Sequence, residues 1–310
     1  VRILFAGTPQ VAVTSLDSLH AAGFDIAAVL TRPDAPLGRK RVLTPSPVAA
    51  RAAELGLPVI KASKITAEVT EQLQGLDLDA AAIVAFGGLV PEAALLVPRH
   101  GWINLHFSLL PNWRGAAPVQ HSIINGDDII GAVTFQLETG LDTGPVFGQV
   151  TEVVNELDTA GVMLERLSAS GSMLLVQTLQ ALDAGQAVAV PQTGSHTYAP
   201  KITDEDAQLD FTRPATEIRR RAHGTTPFPG AWCAVGGQRY KFGPLRERRD
   251  VAGLAPGQLR IEPGKQPTVL IGTATWALEP TMIQPPGKKM MNASDWARGM
   301  LTQGTEVSFA

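Results

Sequence analysis

The 310-residue sequence predicts an α/β protein, a doubly wound and mainly parallel sheet followed by a small β-barrel. Two observations carry that expectation. Through the first 185 residues short apolar runs alternate with longer amphipathic stretches, the pattern of a parallel sheet covered by helices on both faces. After residue 208 the pattern changes to one helix and then several short strands spaced by Gly and Pro turns. Between them, residues 186–208 carry Pro191, Gly194, Pro200 and the acidic Asp204-Glu205-Asp206 without lasting periodicity, and read as a linker. The expected organisation is therefore 1–185, a linker over 186–208, and a second domain over 209–310.

The elements follow in order. RILFA (2–6) opens the sheet, and the helical pattern VAVTSLDSLHAAG closes on Gly23, a residue suited to end a helix. IAAVL (26–30), LPVI (57–60), AAAIVA (80–85) and INL (103–105) are the next strands, with helical stretches between them. Strands near 131–137 and 145–153 pair across the turn ETGLDTG. The spacing of Leu164, Leu167, Leu175, Leu179 and Leu182 then predicts a long helix that stops at Ala184-Gly185. In the second domain the helix Ala215 to Ala222 precedes the punctuation TTPFPG and the strands AWCAV, RYKF and TVLIG. Ligands of such a parallel sheet bind beyond the carboxyl ends of its strands, so the chemistry is sought there.

Composition narrows the possibilities. A hydrophobic fraction of 45 % and a charged fraction of 18 % are those of a globular protein, and no apolar run approaches the roughly 18 residues of a membrane span. A single cysteine, Cys233, excludes an intramolecular disulfide, and because the chain enters a strand at Arg2 no leader is expected. The expectation is a cytoplasmic monomer with no membrane partner. The net charge of −3 is unevenly spread: between Arg213 and Arg249 nine basic side chains face two acidic ones, +7 against −10 for the rest. That region can hold a polyanion; a solvated charged face is the competing explanation.

The strongest chemical signal is NLHFSLLPNWRG (104–115), where an apolar strand runs into polar residues and a Pro-bearing loop. Side chains alternate along a strand, so Asn104 and His106 share a face. An amide donor beside an imidazole suits a tetrahedral intermediate, the one stabilising negative charge and the other exchanging a proton. In Gly140-Leu-Asp-Thr-Gly144 two glycines bracket Asp142, which is available to hydrogen-bond an imidazole, fixing its tautomer, or to relay a proton. Phe86-Gly87-Gly88-Leu89-Val90 follows the fourth strand; it either presents main-chain groups to a flat heterocycle or is simply a Gly-rich turn. The connection Pro33 to Pro47, with Arg39, Lys40 and Arg41, is long for a strand-to-helix loop and carries three adjacent cations where ligands bind.

Other chemistries lack their residues. The first turn, AGTP, has one glycine where a dinucleotide fingerprint has three. The histidines outside the Asn-x-His pair fall in no metal-ligand spacing, and no Ser-centred nucleophile elbow occurs, so no metal is expected.

Asn104-x-His106, Ser108-Leu109-Leu110-Pro111 and Asp142 in LDTG together resemble the folate-dependent formyltransferases. The likeness extends over nearly the whole length through FAGTP, GRKR…PSPV, SLLPxWRGAAP, TYAPKIT and QPPGKK. It implies a Rossmann-like catalytic domain and a C-terminal OB-fold-like domain that helps hold tRNA. It further implies transfer of the formyl group of 10-formyltetrahydrofolate to methionyl initiator tRNA. Under that resemblance Asn104, His106 and Asp142 match the catalytic trio and Ser108 to Pro111 match the folate-contacting loop, and the Phe86 to Val90 loop is expected to meet the folate beside it. Arg39, with Lys40 and Arg41, matches a loop that probes the acceptor end of the tRNA, and Lys201 matches a linker lysine. Apart from the resemblance, the charge count makes Arg246, Arg248 and Arg249 expected phosphate contacts. Phe107 departs from the family pattern, which often has a small residue there. A sugar-nucleotide formyltransferase would share the trio but would not need the basic second domain, and a folate-dependent hydrolase would share it but have no amine acceptor.

Overall fold

The computed structural model describes residues 1–38, 40–303 and 308–309. Its first strand, β1 (Arg2–Gly7), is followed by α1 (Gln10–Ala21), β2 (Asp25–Thr31), the hairpin β3 (Ala35–Leu37) and β4 (Val42–Thr44), α2 (Pro47–Glu54) and β5 (Val59–Lys61). Next come α3 (Ala67–Gln74), β6 (Ala80–Val84), α4 (Glu92–Leu95), β7 (Trp102–His106), β8 (Arg114–Gly115) and α5 (Pro118–Asn125). Then follow β9 (Ile129–Gln136), β10 (Val146–Val153), the long α6 (Ala160–Asp183) and β11 (Tyr198–Ala199).

Seven of these strands form one sheet in the order β10-β9-β7-β6-β1-β2-β5. β5, β2, β1, β6 and β7 are mutually parallel, and β9 runs antiparallel to β7. Near-continuous apolar runs explain the parallel part: every residue of β6 is buried, as is β1 after Arg2, because helices cover both faces. The chain builds outward from β1 to β2 and β5, then returns to lay β6 on the other side of β1. The strand order therefore reverses between β1 and β6, opening a crevice at their carboxyl ends. Local caps set the helix starts. Ser46 accepts from the Ala49 amide at 3.0 Å with Pro47 in the first turn of α2, and Thr66 caps α3. Helix α6 packs where Gly171 lies over Leu105 and Ala132; a Cβ there would meet the Leu105 methyls at 3.1 and 3.2 Å.

Backbone contacts divide the chain into two compact units. One comprises Val1–Gly115, Ile130–Glu152 and Leu164–Tyr198; the other comprises Ala116–Ile129, Val153–Met163 and Ala199–Ala310. These units are discontinuous in sequence, whereas the expected division at 185 and 208 is linear. The connection over 33–47 is a short hairpin, since Pro36 pairs with Leu43 and Leu37 with Val42.

In the second unit α7 (Ala215–Gly224) precedes β12 (Trp232–Val235), β13 (Gln238–Phe242), β14 (Leu245–Ala252), β15 (Leu259–Glu262) and β16 (Thr268–Ile271). β17 (Trp276–Pro280), β18 (Met282–Gln284), β19 (Met291–Asn292) and α8 (Ala293–Gln303) complete it. The strands form two four-stranded antiparallel sheets, β12-β13-β18-β19 and β14-β17-β16-β15. Phe242 and Ile283 from the first sheet and Leu245, Ile271 and Leu278 from the second share one core with Phe211, Ile218 and Trp296. No helix among the described residues is long and apolar enough to cross a membrane.

Candidate active site

Asn104 and His106 lie on β7, whose Asn104 is opposite Ile83 of β6 and Phe135 of β9. The two side chains leave the same face of the strand, as their i, i+2 spacing requires. Asn104 is half-buried, and among the described residues its amide forms no hydrogen bond within the chain. His106 is buried, with the edge of the Phe135 ring packed against it at a centroid distance of 6.2 Å.

The His106 ring is oriented by the loop that follows it. Its Nε2 lies 3.1 Å from the Trp113 carbonyl oxygen. A carbonyl only accepts, so Nε2 carries the proton and donates it, leaving Nδ1 as the free position of the neutral ring. Nδ1 faces Asp142 Oδ2 at 3.9 Å, too far for a hydrogen bond. This corrects the expectation that Asp142 fixes the tautomer: the Trp113 carbonyl does that. Burial holds the His106 pKa below its ordinary value, and the opposing pull of the Asp142 carboxylate and the Trp113 carbonyl is smaller. His106 is therefore neutral near pH 7.

Asp142 is held separately. Its carboxylate accepts from the Gly115 amide at 2.7 Å, and its backbone sits at φ +50°, an unusual region for a residue with a Cβ. Gly144 closes the same turn against Gln136, where any Cβ would overlap the Gln136 carbonyl oxygen. The side-chain amide of Gln192 donates to the carbonyls of both Asp142 and Gly144, each at 2.8 Å. Sequence reasoning missed Gln192, Thr197, Gly115 and the Trp113 carbonyl, because Gly115 and Trp113 act through backbone groups and the other two reach residues far away in the chain. The segment read as a linker is in fact tied down: Val190 bridges Val146, and Thr197 accepts from the Trp113 amide at 2.8 Å.

The loops expected to meet folate flank this arrangement. Ser108 is fully buried and spends its hydroxyl on the Asn112 carbonyl at 2.7 Å, so it shapes the loop. Leu109 packs over Gly131, while Leu110 and Pro111 are half-buried. The Phe107 ring is buried as well. After β6, Phe86 turns inward to the core, Gly87 adopts φ +79° and gives its carbonyl to Arg32 at 2.6 Å, and Gly88 packs against the Phe86 ring. Leu89 is 88 % exposed and Val90 leans on the core, so the loop offers one apolar side chain to solvent beside the crevice. Thr8 donates to the Phe86 carbonyl at 2.8 Å, tying the loops after β1 and β6 together at the strand-order reversal.

The cationic positions differ among themselves. Arg39 lies outside the described residues; Lys40 and Arg41 are exposed at the turn of the β3–β4 hairpin, and Lys201 is exposed. Arg246 is exposed on β14. Two neighbours are not free cations. Arg248 bonds Asp250 at 2.8 Å and Glu279 at 3.0 Å, while Arg249 pairs with Glu247 at 3.1 Å and stacks over Trp276. The three arginines are therefore not equivalent: Arg248 is offset by Asp250, just beyond the basic run, and by Glu279 across the sheet, whereas Arg249 is offset by Glu247 within the run.

The family profile described as "Formyl transferase" matches residues 1–179, and "Formyl transferase, C-terminal domain" matches residues 201–301. Over 301 residues the chain is 63 % identical to the methionyl-tRNA formyltransferase of Arthrobacter sp. (strain FB24), covering 97 % of both chains. Over 300 residues it is 64 % identical to that of Pseudarthrobacter chlorophenolicus, again covering 97 % of both. The N-formyltransferase of Helicobacter canadensis, solved with folinic acid and dTDP-3-aminofucose, superposes on 90 % of this chain and 98 % of its own. The TM-score is 0.68 at 19 % identity, a likeness of fold.

Proposed function

The chain belongs to the formyl transferase family, and from that premise we propose that it moves the formyl group of 10-formyltetrahydrofolate to the α-amine of methionyl initiator tRNA, giving N-formylmethionyl-tRNA. One observation supports this reading above the others. Asn104, whose amide has no partner among the described residues, and His106, a neutral imidazole facing a carboxylate, share one face at the carboxyl end of β7.

An α-amine has a pKa of about 7.7–8.0, so a useful fraction is already nucleophilic at neutral pH. As its nitrogen bonds to the formyl carbon, negative charge collects on the formyl oxygen and positive charge on the nitrogen. The Asn104 amide donates to that oxygen, which is the larger burden. His106 assists only after Nδ1 gains a proton, because its Nε2–H is committed to Trp113. Nδ1, with Asp142 Oδ2 opposite it, takes the surplus proton from the new ammonium and returns it to N10 as the C–N10 bond breaks. Asp142 stabilises the imidazolium formed on the way.

Ser108 to Pro111 and the Phe86 to Val90 loop would hold the folate, and Lys40, Arg41, Lys201 and Arg246 the tRNA. Residues 1–185 would thus do the chemistry and 209–310 retain the macromolecule, in a cytoplasmic monomer. The test is direct. With 10-formyltetrahydrofolate as donor, methionyl initiator tRNA should be formylated and an amino sugar nucleotide should not. Formylation of the sugar nucleotide alone would refute the proposal.

A further inference from the structure

We propose that Gln192 is a positioning residue that holds Asp142 in its working orientation, and that the irregular segment from Val190 to Tyr198 braces both members of the His106–Asp142 pair. This rests on the reading of Asp142 as part of the formyl-transfer machinery. Both hydrogens of one amide nitrogen are used in the same turn, one on the Asp142 carbonyl and one on the Gly144 carbonyl, each at 2.8 Å. The other end of the amide is set by Arg114, whose guanidinium donates to Gln192 Oε1 at 2.7 Å. The amide therefore cannot rotate end for end without placing its NH₂ against a guanidinium and its oxygen against two carbonyls.

What the clamp holds is a conformation that does not hold itself. Asp142 sits at φ +50°, a region unfavourable to a residue with a Cβ that persists only where its surroundings enforce it. The carboxylate is aimed by the Gly115 amide, and Gly115 is kept in place by the same segment, since Arg114 N–H donates to the Thr197 carbonyl at 2.9 Å. Thr197 Oγ1 also accepts from the Trp113 amide, and the Trp113 carbonyl orients His106. One stretch of chain thus reaches Asp142 through Gln192 and His106 through Thr197.

The test compares Gln192→Met with Gln192→Glu in the full-length protein, reading kcat and KM for both substrates alongside thermal unfolding. Methionine keeps the volume and loses both donors. Glutamate keeps the acceptor for Arg114 and puts carboxylate oxygens where the two carbonyls need hydrogens. Small misplacements of a catalytic group cost up to about 100-fold. Both variants should therefore lose roughly 10- to 100-fold in kcat, with KM for tRNA and for folate within about twofold of wild type. A Gln192→Glu enzyme with kcat within threefold of wild type would overturn the clamp, because Gln192 would then serve only to partner Arg114. A loss confined to KM would overturn it too. If Gln192→Met does not fold, Gln192→Glu decides alone. Asp142→Asn is measured beside them: wild-type kcat there would overturn the reading on which the clamp rests, whereas a slow Asp142→Asn beside a fast Gln192→Glu would overturn the clamp alone.

Discussion

Replacing Asn104 by Ala separates catalytic from structural roles more cleanly than any other single change at this site. The side chain is half-buried and, among the described residues, bonds nothing in the chain, so its removal breaks no internal hydrogen bond. Its backbone neighbours Ile83 and Phe135 keep the strand in register. The stability loss should stay under about 1 kcal/mol, a shift of a few degrees in Tm. Turnover should respond very differently. Loss of one donor to a developing oxyanion costs about 10²–10³ in rate, or roughly 2.7–4 kcal/mol of transition-state stabilisation. The assay is steady-state formylation of methionyl initiator tRNA, with kcat and both KM values compared with wild type at matched Tm. Asn104→Asp keeps the shape but turns the donor into a carboxylate facing the oxyanion, and should be slower still. A kcat loss below tenfold, or a loss expressed wholly in KM, would refute the assignment of Asn104 to the oxyanion.

His106→Ala and Asp142→Ala should each be severe, and the double variant no slower than about the worse single, because the two groups pass one proton as a unit; additive losses would separate them. Burial keeps the His106 pKa below its ordinary value, so the acid limb of kcat/KM should lie below the usual imidazole range, and a limb above it would contradict the neutral ring. Arg246→Ala should flatten the log–log salt dependence of tRNA binding by about 0.7–0.9 units and leave folate binding unchanged; an unaltered slope would make Arg246 a solvated surface charge. His223 is buried between the Leu245 backbone, Asp158 and Arg219, and its pKa falls from 6.5 to about 4, mainly through burial. The unfolded chain then binds the extra proton, so stability is full above pH 6.5 and falls by about 3 kcal/mol as pH drops to 4. Chemical denaturation at pH 7 and pH 5 checks this, and His223→Gln should lose the slope.

Much of the first unit is legible because its signals repeat. β1, β2 and β6 are near-continuous apolar runs, which only a sheet covered on both faces accommodates, and β7 keeps Asn104 and His106 two residues apart on one face. The hairpin at 35–44 gives no such signal. Its two three-residue strands are almost wholly exposed, so no buried face imposes alternation. The segment over 186–198 escapes for another reason. Its bonds join irregular backbone to residues about 50 positions away, as Gln192 does to Asp142, and periodicity reports only repeats within one element. Charge counting fails similarly at β14: Glu279 lies on the neighbouring strand, 31 residues from the Arg248 it offsets, and Asp250 falls just beyond the basic run.

The separation of 3.9 Å between His106 and Asp142 has a structural cause with a chemical consequence. One backbone acceptor and one backbone donor compete for the two groups and win. The Trp113 carbonyl takes the Nε2 proton of the ring, and the Gly115 amide takes the Oδ2 lone pair of the carboxylate. A neutral His106 therefore turns its own lone pair toward a carboxylate oxygen, an arrangement with no hydrogen to share and a like-signed contact across it. Adding one proton reverses the interaction: Nδ1–H⁺ faces Oδ2 in a buried setting where opposite charges attract strongly. The pair is thus set to accept one proton when the amine has attacked, and burial, which disfavours the imidazolium, sets it to give that proton up again. Neither the imidazole nor the carboxylate has both properties alone. On the proposed mechanism, the backbone acceptor and donor that keep them apart, and the segment that holds those backbone groups in place, therefore matter to the reaction as much as the side chains do.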